Sequence, residues 1–276
     1  MLSTVLVKDF SEKFHAILKF SKRRFLFYLI VLVIFVVLGG CGNSDYTWGW
    51  YVITPWHPAG LSNIQFLLSG LGYTILLSLC AIVISIMLGL IVTLPALMNN
   101  NLARRINRVY VEIFRSIPVL VMLLWVYYGL PPAFGIHLEV FSAGILGLAL
   151  CDSAFEAEIF RAGIQSIGRG QHDAADSLGL SYWQKTVLII LPQVIKVSMP
   201  NILATFVMLF KNTTFLLIIG IFEMLSTTQT ALSNSRWLGG HAEEGYIFVA
   251  VVFWTVCFSM SMIATNIERK LNTDHQ

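Results

Sequence analysis

The chain has 276 residues, 57% of them hydrophobic and 12% charged, and its mean hydropathy is +0.75. A soluble globular surface carries about 25% charged residues, so a water-soluble enzyme and a disordered chain are both excluded. The formal net charge of +3 gives no support to nucleic-acid binding through backbone phosphates. What remains is an integral membrane protein, an all-α polytopic bundle in contact with lipid.

Crossing about 30 Å of hydrocarbon takes roughly 17 to 25 apolar residues, and cutting the chain where charges cluster predicts six spans. The first, at 25–40, follows the basic run Lys22-Arg23-Arg24; the second, at 66–98, has no charge and is long enough to tilt. The others fall at 109–130, 140–156, 197–222 and 246–267. The N-terminus also admits a second reading, because a basic patch, an apolar run and Leu38-Gly39-Gly40-Cys41 resemble a lipoprotein signal peptide.

Lys and Arg are retained on the cytoplasmic side. With the N-terminus inside, the inner segments hold fifteen of them, whereas the outer loops hold only Arg236. Both termini are therefore expected in the cytoplasm. The outer segment near Trp48, Trp50, Tyr51 and Trp56 suits the headgroup level. Cys41, Cys80, Cys151 and Cys257 are dispersed, and the six histidines stand alone, so neither a disulfide framework nor a metal site is expected.

The long inner loop, 162–196, reads GRGQHDAADSLGLSYWQKTVLIILPQ over its informative part. It predicts a short helix from near Gly170, halted at Gly179 by the residue that accepts left-handed dihedrals, then a second short helix stopped at Pro192. Ala174 and Ala175 keep the first helix thin enough to enter a groove, and Asp173 near its start offers a carboxylate to a basic partner. Either the pair is a knob built for docking or it packs on the inner ends of the spans.

The spacing Asp173-Ala174-Ala175, three residues, Gly179, nine residues, Ile189 and then Leu191-Pro192 resembles the EAA loop of ABC-importer permease subunits, with Asp173 in place of Glu. Phe114-Arg115-Ser116-Ile117-Pro118, the run from Ala154 to Gly163 and Lys211-Asn212-Thr213-Thr214 are similar to elements of the polar amino acid permeases. The stretch Ile218 to Glu223 and the C-terminal segment look most like the M-type permease of general L-amino acid importers.

The resemblance implies residues 1–65 as an N-terminal segment with the first span and outer aromatic loop. Residues 66–276 would form an ABC transporter type-1 transmembrane domain of a bacterial inner membrane. It further implies two partner ATPase subunits carrying ATP and Mg, a second permease subunit, and a periplasmic amino-acid-binding protein. This chain would bind no cofactor, and Gly170, Asp173, Ala174, Ala175, Gly179, Leu191 and Pro192 would couple it to the ATPase.

Ionisable groups inside spans are costly and face a cavity or a partner. Glu158 is placed to pair with Arg161, three residues on, or with Arg115. Asp152 and Lys211 either offer the two counter-charges that an amino-acid zwitterion needs along a translocation path, or pair with each other. Thr213 and Thr214 could line that path or bond back to the preceding turn.

Three functions compete. A transport subunit accounts for the loop, and lacks a P-loop of its own. An intramembrane protease would need a Ser/His or paired-Asp constellation, yet no histidine falls in a predicted span. An ion channel would need a filter motif or a charged ring, and neither is present.

Overall fold

A computed structural model of the chain describes residues 47–97, 101–233 and 241–273. The chain falls into two units, Met1–Trp48 and Gly49–Gln276, and the described helices all belong to the second. The predicted first span and Cys41 lie outside the described residues.

All the described elements are helical. A 3-10 turn, Trp50–Ile53, leads into α1 (Pro58–Leu97), α2 (Asn101–Ser116), α3 (Val119–Phe134), α4 (Val140–Ser166), α5 (Arg169–Ser177), α6 (Tyr182–Ile219), α7 (Met224–Leu232) and α8 (Ala242–Thr273). Four of these, α1, α4, α6 and α8, are long and apolar enough to cross a membrane. α2 and α3 add a fifth if taken as one broken span. The chain is a multi-pass membrane protein.

The predicted span at 109–130 is not one helix, because α2 and α3 meet at 102°. Pro118 has no N–H to give and disfavours helical dihedrals at Ile117, so the helix ends at Ser116 and restarts at Val119. The predicted span at 140–156 extends to Ser166, so the connecting loop is correspondingly shorter.

The expected stop at Pro192 also fails. α6 opens at Tyr182 on a capping box, in which Ser181 accepts from the Gln184 amide and the Gln184 side chain accepts from the Ser181 amide. The helix then runs through a π-helical turn, Thr186–Ile190, into Leu191–Asn212. A proline clashes with the carbonyl four residues back, and for Pro192 that residue, Leu188, sits in the wider turn. The same device recurs in α3, where the π turn Trp125–Gly129 precedes Pro131 and Pro132.

One helix was not expected. α7 lies in the segment read as an outer loop and starts at Glu223, whose carboxylate accepts from the amides of Leu225 (2.9 Å) and Ser226 (2.7 Å). The Met224 amide donates to Thr74 Oγ1 of α1 at 3.1 Å, so α7 is seated on the bundle.

The main core joins Leu77, Ala81 and Ile82 of α1, Leu123 of α3, Ile145 and Leu148 of α4, and Leu209, Leu216 and Ile219 of α6. The α1–α4 pair is the most extensive packing in the bundle. A second cluster, Phe160, Ile190, Val194 and Ile202, ties the α5 end of α4 to α6. Much of the remaining apolar surface, including Met87 and Ile91 of α1, is exposed, as lipid contact requires.

Candidate functional site

The pair of short helices expected between Gly170 and Pro192 is one short helix, α5, followed by the first turn of α6. Gly179 has φ +69°, its amide donates to Asp176 O at 3.0 Å, and the Leu180 amide donates to Ala175 O at 3.2 Å. This is the Schellman closure of α5, which requires a left-handed residue at that position. Gly179 was thus legible from its type alone.

Two links then hold α5 against α6. Lys185 Nζ donates to Asp176 Oδ1 at 2.7 Å and to Oδ2 at 3.0 Å. Gln193 Nε2 donates to Gln171 Oε1 at 3.4 Å. The Asp176–Lys185 bridge was missed in the sequence because its partners are nine apart and on different helices.

Ala175 is buried, whereas Gly170, Asp173, Ala174, Gly179 and Leu178 are exposed. One face of α5 therefore packs, and the other, carrying Asp173 and Ala174, is open. Leu191 and Pro192 stand apart from this face: they lie where α6 resumes after its π turn, and Pro192 does not end the knob.

The charges in and beside the expected spans separate into three groups. Glu158 and Arg161 form a forked pair on one turn of α4, with Arg161 Nε donating to Glu158 Oε2 at 2.9 Å and a second, short contact to Oε1. Arg115 instead stacks its guanidinium over the Phe155 ring, 5.2 Å from the centroid. These three line one cavity with Arg104, Arg108 and Glu112.

Asp152 is buried and accepts from Ser85 Oγ at 2.8 Å. One turn further, Glu156 is fully buried; its Oε1 accepts from Thr205 while Oε2 has no partner among the described residues. Both carboxyls thus face the seam of α1, α4 and α6.

Lys211 does not pair with Asp152 among the described residues. It is exposed and borders a cavity of about 350 Å³ with Phe253, Trp254, Cys257, Phe258 and Ser261 of α8. Thr213 Oγ1 donates to Phe210 O at 2.7 Å and Thr214 Oγ1 to Lys211 O at 2.8 Å. Both hydroxyls are spent on the preceding turn, and Thr213 is fully buried, so neither offers a ligand its proton.

No group of His, Cys, Asp and Glu able to hold a metal occurs among the described residues. What the arrangement offers is mechanical and electrostatic: an open helical knob at one end, buried carboxyls in the seam, and an ammonium beside an aromatic cavity.

Residues 81–273 match the family model of the binding-protein-dependent transport system inner membrane component. The chain is 34% identical over 206 residues to the inner membrane amino-acid ABC transporter permease protein YhdY of Escherichia coli K12, covering 74% of this chain and 56% of that one. It is 35% identical over 207 residues to the glutamate/glutamine/aspartate/asparagine transport system permease protein BztC of Rhodobacter capsulatus, covering 73% and 47%. The chain thus spans about half the length of these two relatives.

It covers 99% of the glutamate/aspartate import permease protein GltK of Escherichia coli O157:H7, with 30% identity over 235 residues and 82% of this chain. Among solved structures, an amino acid ABC transporter crystallised with histidines superposes with a TM-score of 0.67 at 30% identity, covering 76% of this chain and 96% of that chain. A match over residues 81–273, well over half of the sequence, makes the chain a member of the binding-protein-dependent transport system inner membrane component family.

Proposed function

We propose that the chain is the permease subunit of an ATP-binding-cassette importer for polar L-amino acids, set in a bacterial inner membrane with both termini in the cytoplasm. The observation that carries this reading is the exposed α5 knob closed at Gly179, borne on a bundle of the family's fold. ATP and Mg²⁺ belong to two partner ATPase subunits that receive α5. A second permease, identical or related, completes the pathway, and an external amino-acid-binding protein delivers substrate.

In this reading ATP-driven closure of the ATPases pulls on α5. The Asp176–Lys185 bridge passes that movement to the start of α6. Lys211 then gives a substrate carboxylate a counter-charge at membrane depth, where an ammonium without a counter-charge is otherwise costly. The acidic and amide amino acids in the names of BztC and GltK support a polar substrate class.

The decisive experiment is purification of the chain with its ATPase, followed by substrate-stimulated ATP hydrolysis in proteoliposomes scanned across amino acids. Stimulation by one or more polar amino acids is the expected result. An assembled complex indifferent to every amino acid would overturn the substrate class. Gln171→Cys should react with a membrane-impermeant thiol reagent only from the cytoplasmic side, and labelling in intact cells would overturn the orientation.

A further inference from the structure

α2 sorts its side chains onto three faces. Ala103, Asn107, Tyr110 and Phe114 turn toward the bundle: Asn107 Nδ2 donates to Val92 O of α1 at 3.1 Å, and the hydroxyls of Tyr110 and Ser153 of α4 lie 2.6 Å apart. On one side of this seam Leu102, Ile106, Val109 and Ile113 recur at helical spacing with exposures of 65%, 59%, 48% and 48%. On the other side lie Arg104, Arg108, Glu112 and Arg115, all exposed, with Arg105 at the border, so three arginines and one carboxylate share that face.

The placement of this helix matters as much as its faces. It meets the apolar α3 at 102°, so if α3 crosses the membrane α2 runs along its surface for about 24 Å. It also sits at the end of α4 that leads into α5, since Glu158 and Arg161 share its cavity of about 600 Å³. A helix in the membrane plane, apolar on one side and arginine-rich on the other, is the pattern of an interfacial anchor.

We propose that α2 is an interfacial lipid anchor, with Leu102, Ile106, Val109 and Ile113 in the acyl layer of the leaflet on the α5 side. Arg104, Arg105 and Arg108 hold the phosphates of anionic phospholipids there, and the adjoining cavity admits a headgroup. A second copy of the chain is the poorer occupant. Pairing two such stripes about a two-fold axis brings their bordering arginines together, and like charges across an interface repel. Arginines beside a narrow apolar stripe instead extend their heads to the phosphate level. The inference rests on the proposed orientation only for which leaflet is meant, the cytoplasmic one, whose lipids are anionic.

The test uses the assembled complex in nanodiscs, with the native cysteines replaced and spin labels placed singly at Ile106→Cys, Ile113→Cys and Arg108→Cys. Collision with oxygen should exceed collision with a nickel chelate at 106 and 113, and the order should reverse at 108. Low collision with both at 106 and 113 would indicate a second copy and overturn the proposal, as would a preference for nickel there.

Phosphatidylglycerol retained per complex after detergent purification gives the second arm. It should fall severalfold in the triple variant Arg104→Gln, Arg105→Gln, Arg108→Gln and return with Lys at the three positions. Equal retention by the glutamine variant would overturn the phosphate assignment. Neither arm depends on transport or on which side is cytoplasmic, so failure here is distinct from failure of the amino-acid assays or of the Gln171→Cys labelling.

Discussion

Gly89 of α1 lies flat against Glu156 of α4: a Cβ on Gly89 would stand 2.8 Å from Glu156 Cβ and 3.0 Å from the Ala157 amide nitrogen. Both obstacles belong to the stem or backbone of α4, so neither can swing aside. The bundle's widest contact therefore depends on an absent side chain. Gly89→Ala should destabilise the detergent-solubilised protein by about 1 to 3 kcal/mol, read as a lowered melting temperature, and Gly89→Leu should prevent assembly. An unchanged melting temperature for Gly89→Ala would show that the two helices separate freely.

Gly179 presents the opposite case, because nothing lies within 4 Å of its missing Cβ and the whole penalty is conformational. Left-handed dihedrals cost an ordinary residue about 1 to 2 kcal/mol, asparagine less. Gly179→Asn should retain the partner ATPase in pull-downs, whereas Gly179→Val should lose it while the membrane helices still insert. Asp173→Ala, which removes one exposed carboxylate without altering the turn, should weaken capture by roughly ten- to a hundredfold, and Asp173→Glu should restore it.

The contrast between these two glycines shows what the sequence made legible. Gly179 follows a short helical pattern, and its left-handed role is set by local chemistry. Gly89 is one small residue in a long apolar run, and its meaning depends on Glu156, 67 positions away. The bend at Ser116–Pro118 carried a local signal in Pro118, which the run of apolar residues around it outweighed. Pro192 misled for a related reason: its stop is real for a regular α-helix, and the π turn that admits it has no residue signature. α7 carried no such local signal, because Glu223 caps it in the structure although glutamate is not among the residues that favour an N-cap.

Asp152 and Lys211 act separately in this fold, one buried on Ser85 and the other beside the aromatic residues of α8. Lys211→Met should depress uptake of acidic amino acids more than basic ones. Asp152→Asn should keep the Ser85 contact and assemble normally. Their effects on melting should add in the double variant to within about 0.5 kcal/mol; rescue of one by the other would reveal an ion pair in the working protein.

Burial pushes the Glu223 carboxyl up to about 7, against the downward pull of the Leu225 and Ser226 amides. A carboxyl with a raised folded-state value binds more protons folded than unfolded between about 4.5 and 7. Its contribution is full below that window and is lost as pH rises through it. Relative to Glu223→Gln, the wild type should lose about 3 kcal/mol across the window at 1.36 kcal/mol per pH unit. Melting curves of both proteins from pH 4.5 to 7.5 test this, and parallel curves would remove Glu223 as the source.

Along α6 the buried residues Thr186, Ile190, Val194, Ser198 and Ile202 recur every four positions. In a regular α-helix of 3.6 residues per turn such a series drifts steadily round the axis. The surplus residue wound into Thr186–Ile190 takes back part of that drift before α6 reaches its main core. The turn is thus a splice: excising one of its positions would return a regular helix with Tyr182–Lys185 facing nearly as before, and Pro192 would then press on the carbonyl four residues back. α5 would then be redirected by a kink in α6, with every one of its own side chains intact.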